Sequence, residues 1–267
     1  MLPRPPDGPQ GYRGRVRAYA AVVLAGGAAR RMGGVDKPAR PVGGRPMRDR
    51  VLAAVADARP RILVGPAGLV PEGVRVTREQ PPGGGPVAAT AAGLALLEPG
   101  TPVVALLAGD LPLLTREAIA HLLRHLDAGP PPRDLDAEPP PRDLDAGPDR
   151  RDAAGGSAGH DLRLDEPPVG AGAPGAATGS RPGTAPDGAC FVDDAGRRQT
   201  LCGVWRVPPL RAAVDRLAAG RGLAGAPIRA LLAGLTVREV PWPGAGPPPW
   251  FDCDTDSDVR RAEEWVR

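Results

Sequence analysis

The chain has 267 residues, of which 42% are hydrophobic, enough for one sizeable core. Its 34 Lys and Arg stand against 31 Asp and Glu, and only 3% of residues are aromatic, so scattered cations with few stacking rings exclude a dedicated nucleic-acid surface. Three cysteines without a CxxC pair exclude a disulfide framework and fit a reducing cytoplasmic compartment, while no stretch approaches the roughly 18 apolar residues of a membrane span.

Residues 1–18 are rich in Pro, Gly and Arg and predict a loose tail. Arg13, Arg15 and Arg17 before an apolar run imitate a secretory signal, but Gly26 and Gly27 interrupt the run and Arg30 and Arg31 follow at once. Ala20 to Leu24 predicts a short buried strand that runs into a glycine loop from Gly26 to Gly34. Pro46 suits a first helical position, and Met47, Val51, Leu52, Val55 and Ala58 follow a helical stripe. Arg61 to Gly65 and Val74 to Thr77 predict strands, and Gly83 to Gly85 lead into a helix from Pro86 to Leu97.

Pro102 to Ala108 is a continuous apolar run, as expected of a strand covered on both faces; it ends at Gly109 and Asp110, which puts a carboxylate at a strand's carboxyl edge. Thr115 is placed to cap a helix whose Ile119, Leu122, Leu123 and Leu126 keep the i, i+3, i+4, i+7 spacing. On that helix His121 and His125 sit four apart without a Glu or Cys companion at ligand spacing, so they read as a polar helix edge rather than a zinc site. The alternation of strand and helix predicts an α/β fold, a three-layer Rossmann-like domain with a mostly parallel sheet.

Residues 127–188 break that order with the repeat PPRDLDA at 131–137 and 140–146, followed by Gly, Ala, Pro and charge. Such a segment buries too little apolar surface to offset its ordering entropy and predicts a disordered insertion within one domain, whose two ordered parts are residues 19–126 and 189–267. In the second part, Ala189 to Val192 and Leu201 to Val207 predict a hairpin around Asp194 to Gly196. A helix bearing Leu210, Val214 and Leu217, a short helix at Pro227 to Leu232, and a strand at Leu235 to Val240 follow. A last strand fragment is expected at Trp250 to Asp254, with Asp252 and Asp254 on one face. Thr255 with Asp258 resembles a capping box before a final helix facing inward through Val259, Ala262 and Val266.

The chemistry concentrates in LAGGAARRMGGVDK, residues 24–37. Glycines after a strand let backbone N–H groups approach a phosphate, and Arg31 and Lys37 add charge that an anionic ligand justifies and a plain turn does not need. Neither GxxxxGK[ST] nor GxGxxG is present, so the loop is not a Walker or dinucleotide fingerprint. Asp110, also readable as a solvated turn residue, stands at the strand edge where ligands gather in open α/β sheets. The acidic run from Asp252 to Asp258 also suits a helix N-terminus.

LAGG, then RMGG, then DK resembles the signature loop of the molybdenum cofactor guanylyltransferases, within a wider family of nucleotidyltransferases. The likeness continues through PPGGGPVAATAAGL at 81–94, ALLAGDLP at 105–112, RRQTLCGVW at 197–205 and FDCDTDSDVRRAEEW at 251–265. The resemblance implies that Leu24, Ala25, Gly26 and Gly27 contact base and phosphates, that Arg31 and Lys37 hold the triphosphate, and that Gly84, Gly85 and Pro86 hold base or ribose. It assigns Lys37, Arg31 and Asp110 to catalysis and Asp110, with Asp254 or Asp252, to a Mg²⁺ cofactor.

The partners it implies are GTP or another NTP, bound by residues 19–126, and a phosphorylated small-molecule acceptor, the pterin cofactor molybdopterin, bound by residues 189–267. Molybdoenzyme-maturation proteins would be the protein partners, with no nucleic acid or membrane. One departure bears on base choice. Many guanylyl relatives carry Asp shortly before the Gly-Pro turn, whereas Glu79, Gln80, Pro81 and Pro82 precede it here. Cytidylyl transfer, a different phosphorylated acceptor, or a non-catalytic nucleotide-binding module therefore stay open as alternatives.

Overall fold

The computed structural model describes residues 18–26, 37–66, 68, 70–128 and 185–267. The expected tail, the middle of the glycine loop and nearly all of the expected insertion lie outside the described residues.

The described chain forms one seven-stranded sheet in the order β5-β4-β1-β6-β8-β7-β9. The strands are β1 (Ala20–Leu24), β4 (Arg61–Val64), β5 (Val74–Thr77), β6 (Val103–Ala108), β7 (Gly188–Val192), β8 (Arg198–Arg206) and β9 (Val237–Val240). Strands β5, β4, β1 and β6 run parallel, β8 is antiparallel to both β6 and β7, and β9 is parallel to β7. The mostly parallel sheet of the sequence reading is what forms. β7 and β8 are the expected hairpin, closed by Asp193, whose carboxylate accepts from the Ala195 and Arg197 N–H groups.

β1 and β6, in the middle of the sheet, are apolar along their whole length because both of their faces are covered. On one face Ala21 and Val23 of β1 and Ala105 and Leu107 of β6 pack with Val51 and Leu52 of α1 (Met47–Ala54) and Ile119 and Leu122 of α3 (Arg116–Asp127). On the other, Val22, Leu24, Val104 and Leu106 pack with Val87 and Leu94 of α2 (Gly85–Ala95), Leu210 and Val214 of α4 (Val207–Ala219) and Leu231 and Leu232 of α5 (Ile228–Leu232). Two cores on opposite faces of one sheet make the three layers.

The helix caps follow the sequence. Thr115 accepts from Ala118 N–H at the start of α3, and Thr255 with Asp258 forms the reciprocal capping box of α6 (Asp256–Val266). Pro46 stands one position earlier than expected, as the residue before the first helical turn of α1. It ends instead a small hairpin of β2 (Pro41–Val42) and β3 (Arg45–Pro46). Gly43 and Gly44 turn this hairpin at φ 57° and 73°, a pair of left-handed residues that suits a two-residue hairpin and favours glycine at both. With two residues a side, the hairpin leaves no alternation to read in the sequence.

One expected strand does not form. Residues 250–254 are irregular: the Phe251 N–H closes a turn on the Pro248 carbonyl and the Cys253 N–H donates to the Asp110 carbonyl at 3.3 Å. Pro247, Pro248 and Pro249 have no N–H to donate to a ladder, so the segment crosses the end of the sheet instead of extending it. The expectation that Asp252 and Asp254 share a strand face is corrected accordingly.

Candidate active site

The carboxyl ends of the parallel strands lie along one edge, so the segments after Leu24, Val64, Thr77 and Ala108 meet there. Gly109 N–H donates to the Leu24 carbonyl at 2.8 Å, and Ala25 N–H to the Val64 carbonyl at 2.8 Å. A Cβ at Gly109 would come within 3.1 Å of the Leu24 oxygen, so this approach of the two strand ends favours glycine. It sets Asp110 next to the root of the glycine loop.

Lys37 opens a single 3-10 turn, Lys37–Ala39, on the far side of that loop. Its ammonium donates to Asp110 Oδ2 and to Asp254 Oδ1, both at 2.5 Å. Three segments separated by 73 and 217 positions thus meet at one nitrogen. Burial disfavours charge on Lys37, but its hydrogen bonds to the two carboxylates and their charges outweigh it and raise its pKa above the ordinary lysine value. Asp252 stands aside from this junction. Desolvation first, then the charges of Asp254 and Asp110, push its carboxyl above the usual aspartate range, so it lies within their electrostatic reach.

A small separate core fixes the junction. Val42 and Met47 follow Lys37, Leu113 follows Asp110, Cys253 lies between the two aspartates, and Val259 and Ala262 belong to α6; these six side chains pack together. Arg50 of α1 ties the same segments by donating to the Pro112 and Val42 carbonyls at 3.0 and 3.3 Å, and Arg40 pairs with Asp256 at the start of α6. None of these supports stands out in the sequence, because each is an ordinary residue whose role depends on a neighbour far along the chain.

The remaining expected residues divide. The Leu24 and Ala25 side chains are buried in the two opposite cores, while Gly26 is exposed. Gly27 and Arg31 lie outside the described residues. Gly84 closes a turn on the Pro81 carbonyl, Gly85 starts α2 with Pro86 in its first turn, and the Gly84 carbonyl accepts from Gly225 N–H at 2.8 Å. The loop after α4 therefore borders this turn, which the sequence alone did not indicate.

Glu79 gains a role that its sequence reading, as a departure before the Gly-Pro turn, did not give it. Its side chain is buried, Oε1 accepts from Gly83 N–H at 3.0 Å, and Oε2 is buried without a hydrogen-bond partner among the described residues. A Cβ at Gly26 would lie 3.5 Å from both carboxylate oxygens. Glu79 thus joins the glycine loop to the second glycine turn. An acidic residue between a strand and a glycine turn was the available signal.

The histidine pair shows no metal-site character: His125 Nδ1 bonds the His121 carbonyl, and the His121 ring lies 6.2 Å from Phe191 and 6.1 Å from Trp242. Among the described residues no group of three or more His, Cys, Asp or Glu side chains forms a metal cage, and no helix is long and apolar enough to cross a membrane.

Residues 21–135 match the family model described as MobA-like NTP transferase domain. The chain is 37% identical over 113 residues to the molybdenum cofactor guanylyltransferase of Bradyrhizobium sp., covering 39% of this chain and 53% of the relative. It is 33% identical over 119 residues to the "Probable molybdenum cofactor guanylyltransferase" of Haloferax mediterranei, covering 41% and 56%. The chain thus spans about half the length of the curated relatives it matches.

Two solved structures share the fold. Molybdopterin-guanine dinucleotide biosynthesis protein A from Archaeoglobus fulgidus aligns with a TM-score of 0.54 at 16% identity, over 92% of this chain and 97% of that one. The 2-C-methyl-D-erythritol 4-phosphate cytidylyltransferase from Thermus thermophilus aligns with a TM-score of 0.52 at 16% identity, over 93% and 98%. At these identities the likeness shows the Rossmann-like fold alone. The residues that match the model of the MobA-like NTP transferase domain include the root of the glycine loop, Lys37, Glu79 and Asp110.

Proposed function

We propose that this chain is a nucleotidyltransferase that moves GMP from GTP onto the phosphate of molybdopterin, a phosphorylated pterin, and releases pyrophosphate. The observation that carries this reading is the meeting of Lys37 with the Asp110 and Asp254 carboxylates at one strand-end edge, beside the glycine turns. An oxygen of the acceptor phosphate attacks the α-phosphorus of GTP. The new P–O bond forms as the α–β bridging bond breaks, and the electron pair leaves with pyrophosphate. A phosphate monoester has a second pKa of about 6 and is already largely dianionic at neutral pH, so no protein base or nucleophile is required.

The chain's own residues then position and neutralise. The backbone at Gly26 and the turn at Gly84 and Gly85 hold the nucleotide, and the Lys37 ammonium offsets triphosphate charge. Two carboxylates that already share one cation suit Mg²⁺, which is commonly bound by one or two carboxylates with its remaining positions filled by water and phosphate oxygens. Asp110 and Asp254 would hold it, and it would supply charge neutralisation on the phosphates when bound.

Glu79 supports guanine over cytosine. Guanine presents two adjacent donors, N1–H and the 2-amino group, to a carboxylate, whereas the corresponding edge of cytosine offers one amino donor beside two acceptors. Glu79 Oε2, buried and unpaired among the described residues, is the kind of acceptor such an edge would satisfy.

Pyrophosphate release is measured with each NTP and molybdopterin, alongside thermal protection by each NTP alone. A ligand at 100 times its Kd adds roughly 2.7 kcal/mol of stability. GTP should protect and support release, and Glu79→Gln should reduce its advantage over CTP. Equal or better turnover with CTP would overturn the base assignment, and no release with any NTP would overturn the transferase reading.

A further inference from the structure

Lys37 and Arg40 are the two ends of one turn, because the Arg40 N–H donates to the Lys37 carbonyl at 3.1 Å, and residues three apart on a 3-10 turn stand on the same side. Lys37 pairs with Asp254 at 2.5 Å, and Arg40 pairs with Asp256, the first residue of α6. Two ion pairs thus bridge the same two segments side by side. They differ in what else they serve. The Lys37 ammonium is shared with Asp110, whereas Arg40 has Asp256 as its ion-pair partner among the described residues.

We propose that Arg40 is a positioning residue: through Asp256 it keeps Asp254 beside Asp110 when the Lys37 ammonium turns from the two carboxylates to a triphosphate. The inference rests on the transferase reading above and on its assignment of Asp110 and Asp254 to Mg²⁺. An ammonium and a divalent cation repel each other at one pair of carboxylates, so Lys37 does not hold Asp254 while a metal-bound nucleotide is seated. Asp254 then depends on its other attachments, and these are weak. Its segment forms no ladder, its side chain is 71% exposed, and the bond from the Cys253 N–H to the Asp110 carbonyl is 3.3 Å long.

Arg40 is placed to be the lasting bridge. Its carbonyl accepts the Met47 N–H at 3.0 Å, and Met47 is wholly buried in the small core with Cys253 and Val259, so the backbone that carries the guanidinium is anchored. On the other side Asp256 stands in the first turn of α6, whose start is fixed by the capping box of Thr255 and Asp258. The pair therefore joins one fixed backbone to another, with Asp254 two positions before Asp256. A guanidinium stays charged at any working pH, so this bridge does not lapse when the lysine leaves. Holding Asp254 in advance lowers the ordering cost that ligand binding would otherwise carry.

The test measures Mn²⁺ binding by electron paramagnetic resonance to the full chain saturated with a GTP analogue that carries a methylene in place of the α–β bridging oxygen. Arg40→Ala and Asp256→Ala should each weaken Mn²⁺ about fivefold, the most that a partly exposed ion pair supports, and the double variant should lose no more than either alone. In an Asp254→Ala background Arg40→Ala should have no further effect, which a general loosening of the fold would not reproduce. Unchanged Mn²⁺ binding in Arg40→Ala would overturn the tether, as would a further loss in the Asp254→Ala background. A loss in Arg40→Ala but not in Asp256→Ala would also overturn it and put Arg40 on the nucleotide instead. If wild type binds no Mn²⁺ with the analogue, the metal assignment fails and the tether with it. If the pattern holds but no NTP yields pyrophosphate, the tether stands and the transferase reading fails. Should Asp256→Ala not fold, Arg40→Ala with and without Asp254→Ala decides by the same criterion.

Discussion

Arg50 Nε donates to the backbone carbonyl of Pro112 at 3.0 Å, which joins α1 to the loop that begins at Asp110. A second bond from the same guanidinium reaches the Val42 carbonyl at 3.3 Å, in the hairpin that follows Lys37. One side chain therefore sets the spacing between the two segments that carry the lysine and the aspartate. Arg50→Ala is expected to lower kcat about tenfold and to cost about 1.5–3 kcal/mol of stability, the usual range for hydrogen bonds to a charged group. Pyrophosphate release with chemical denaturation checks both; an unchanged kcat would mean that the small core holds the junction without Arg50.

Lys37→Ala should weaken GTP binding at least tenfold while the protein still unfolds cooperatively. The raised lysine pKa means that its native ion pairs stabilise fully below the ordinary value of 10.5 and fade only as pH rises through the higher folded value. Any stability difference from wild type should accordingly be flat between pH 7 and 9. Tight GTP binding by a variant of much lower melting temperature would recast Lys37 as a structural ion-pair residue.

Asp110→Asn should abolish transfer, because the amide keeps the shape and loses the charge beside Lys37 and the phosphates, a change worth several kcal/mol in a site of this kind, about 3 kcal/mol or more. Asp254→Asn should be milder, since an amide oxygen still ligates a hard cation and this side chain is 71% exposed against 19% for Asp110. Rates measured across a Mg²⁺ series separate the two. Near wild-type turnover in Asp110→Asn would overturn the proposal that Asp110 holds Mg²⁺.

The Asp258 carboxylate accepts from the Thr255 N–H and hydroxyl at 2.7 Å each, and these bonds hold its pKa below the usual aspartate value. Asp258→Ala should cost about 1 kcal/mol, the typical worth of a helix cap. Because the folded pKa is depressed, that stabilisation is fully present above the unfolded value of 3.8 and is lost as pH falls through the lower folded value. Melting temperatures of mutant and wild type should differ at pH 7 and converge only in acid below the lowered folded value. A difference that persists in acid would show that the loss is not electrostatic.

Both cores draw their described members from either side of residues 129–184. Replacing residues 130–185 by a short Gly and Ser linker should leave cooperative unfolding intact, because closing a longer flexible loop costs only about 0.6 kcal/mol per doubling of length. Loss of the cooperative transition in the linker variant would show that the replaced residues complete the fold.

The sequence by itself determined the layers, because their cause is local. A five-residue apolar run such as Ala20–Leu24, a helical stripe such as Ile119, Leu122, Leu123 and Leu126, and a cap such as Thr115 each state their structure within a few positions. Lys37 and Asp110 were also legible, one at the end of a glycine loop and the other at the end of a buried strand. Trp250–Asp254 reads as a strand fragment in the sequence, but strand formation depends on a partner ladder that this segment does not reach. Only the tertiary structure brought Asp254 rather than Asp252 onto Lys37, set Glu79 beneath Gly26, and used Arg50 to bind two loops. Those relationships join residues tens to hundreds of positions apart through single hydrogen bonds, and nothing in the local pattern of either partner encodes the meeting.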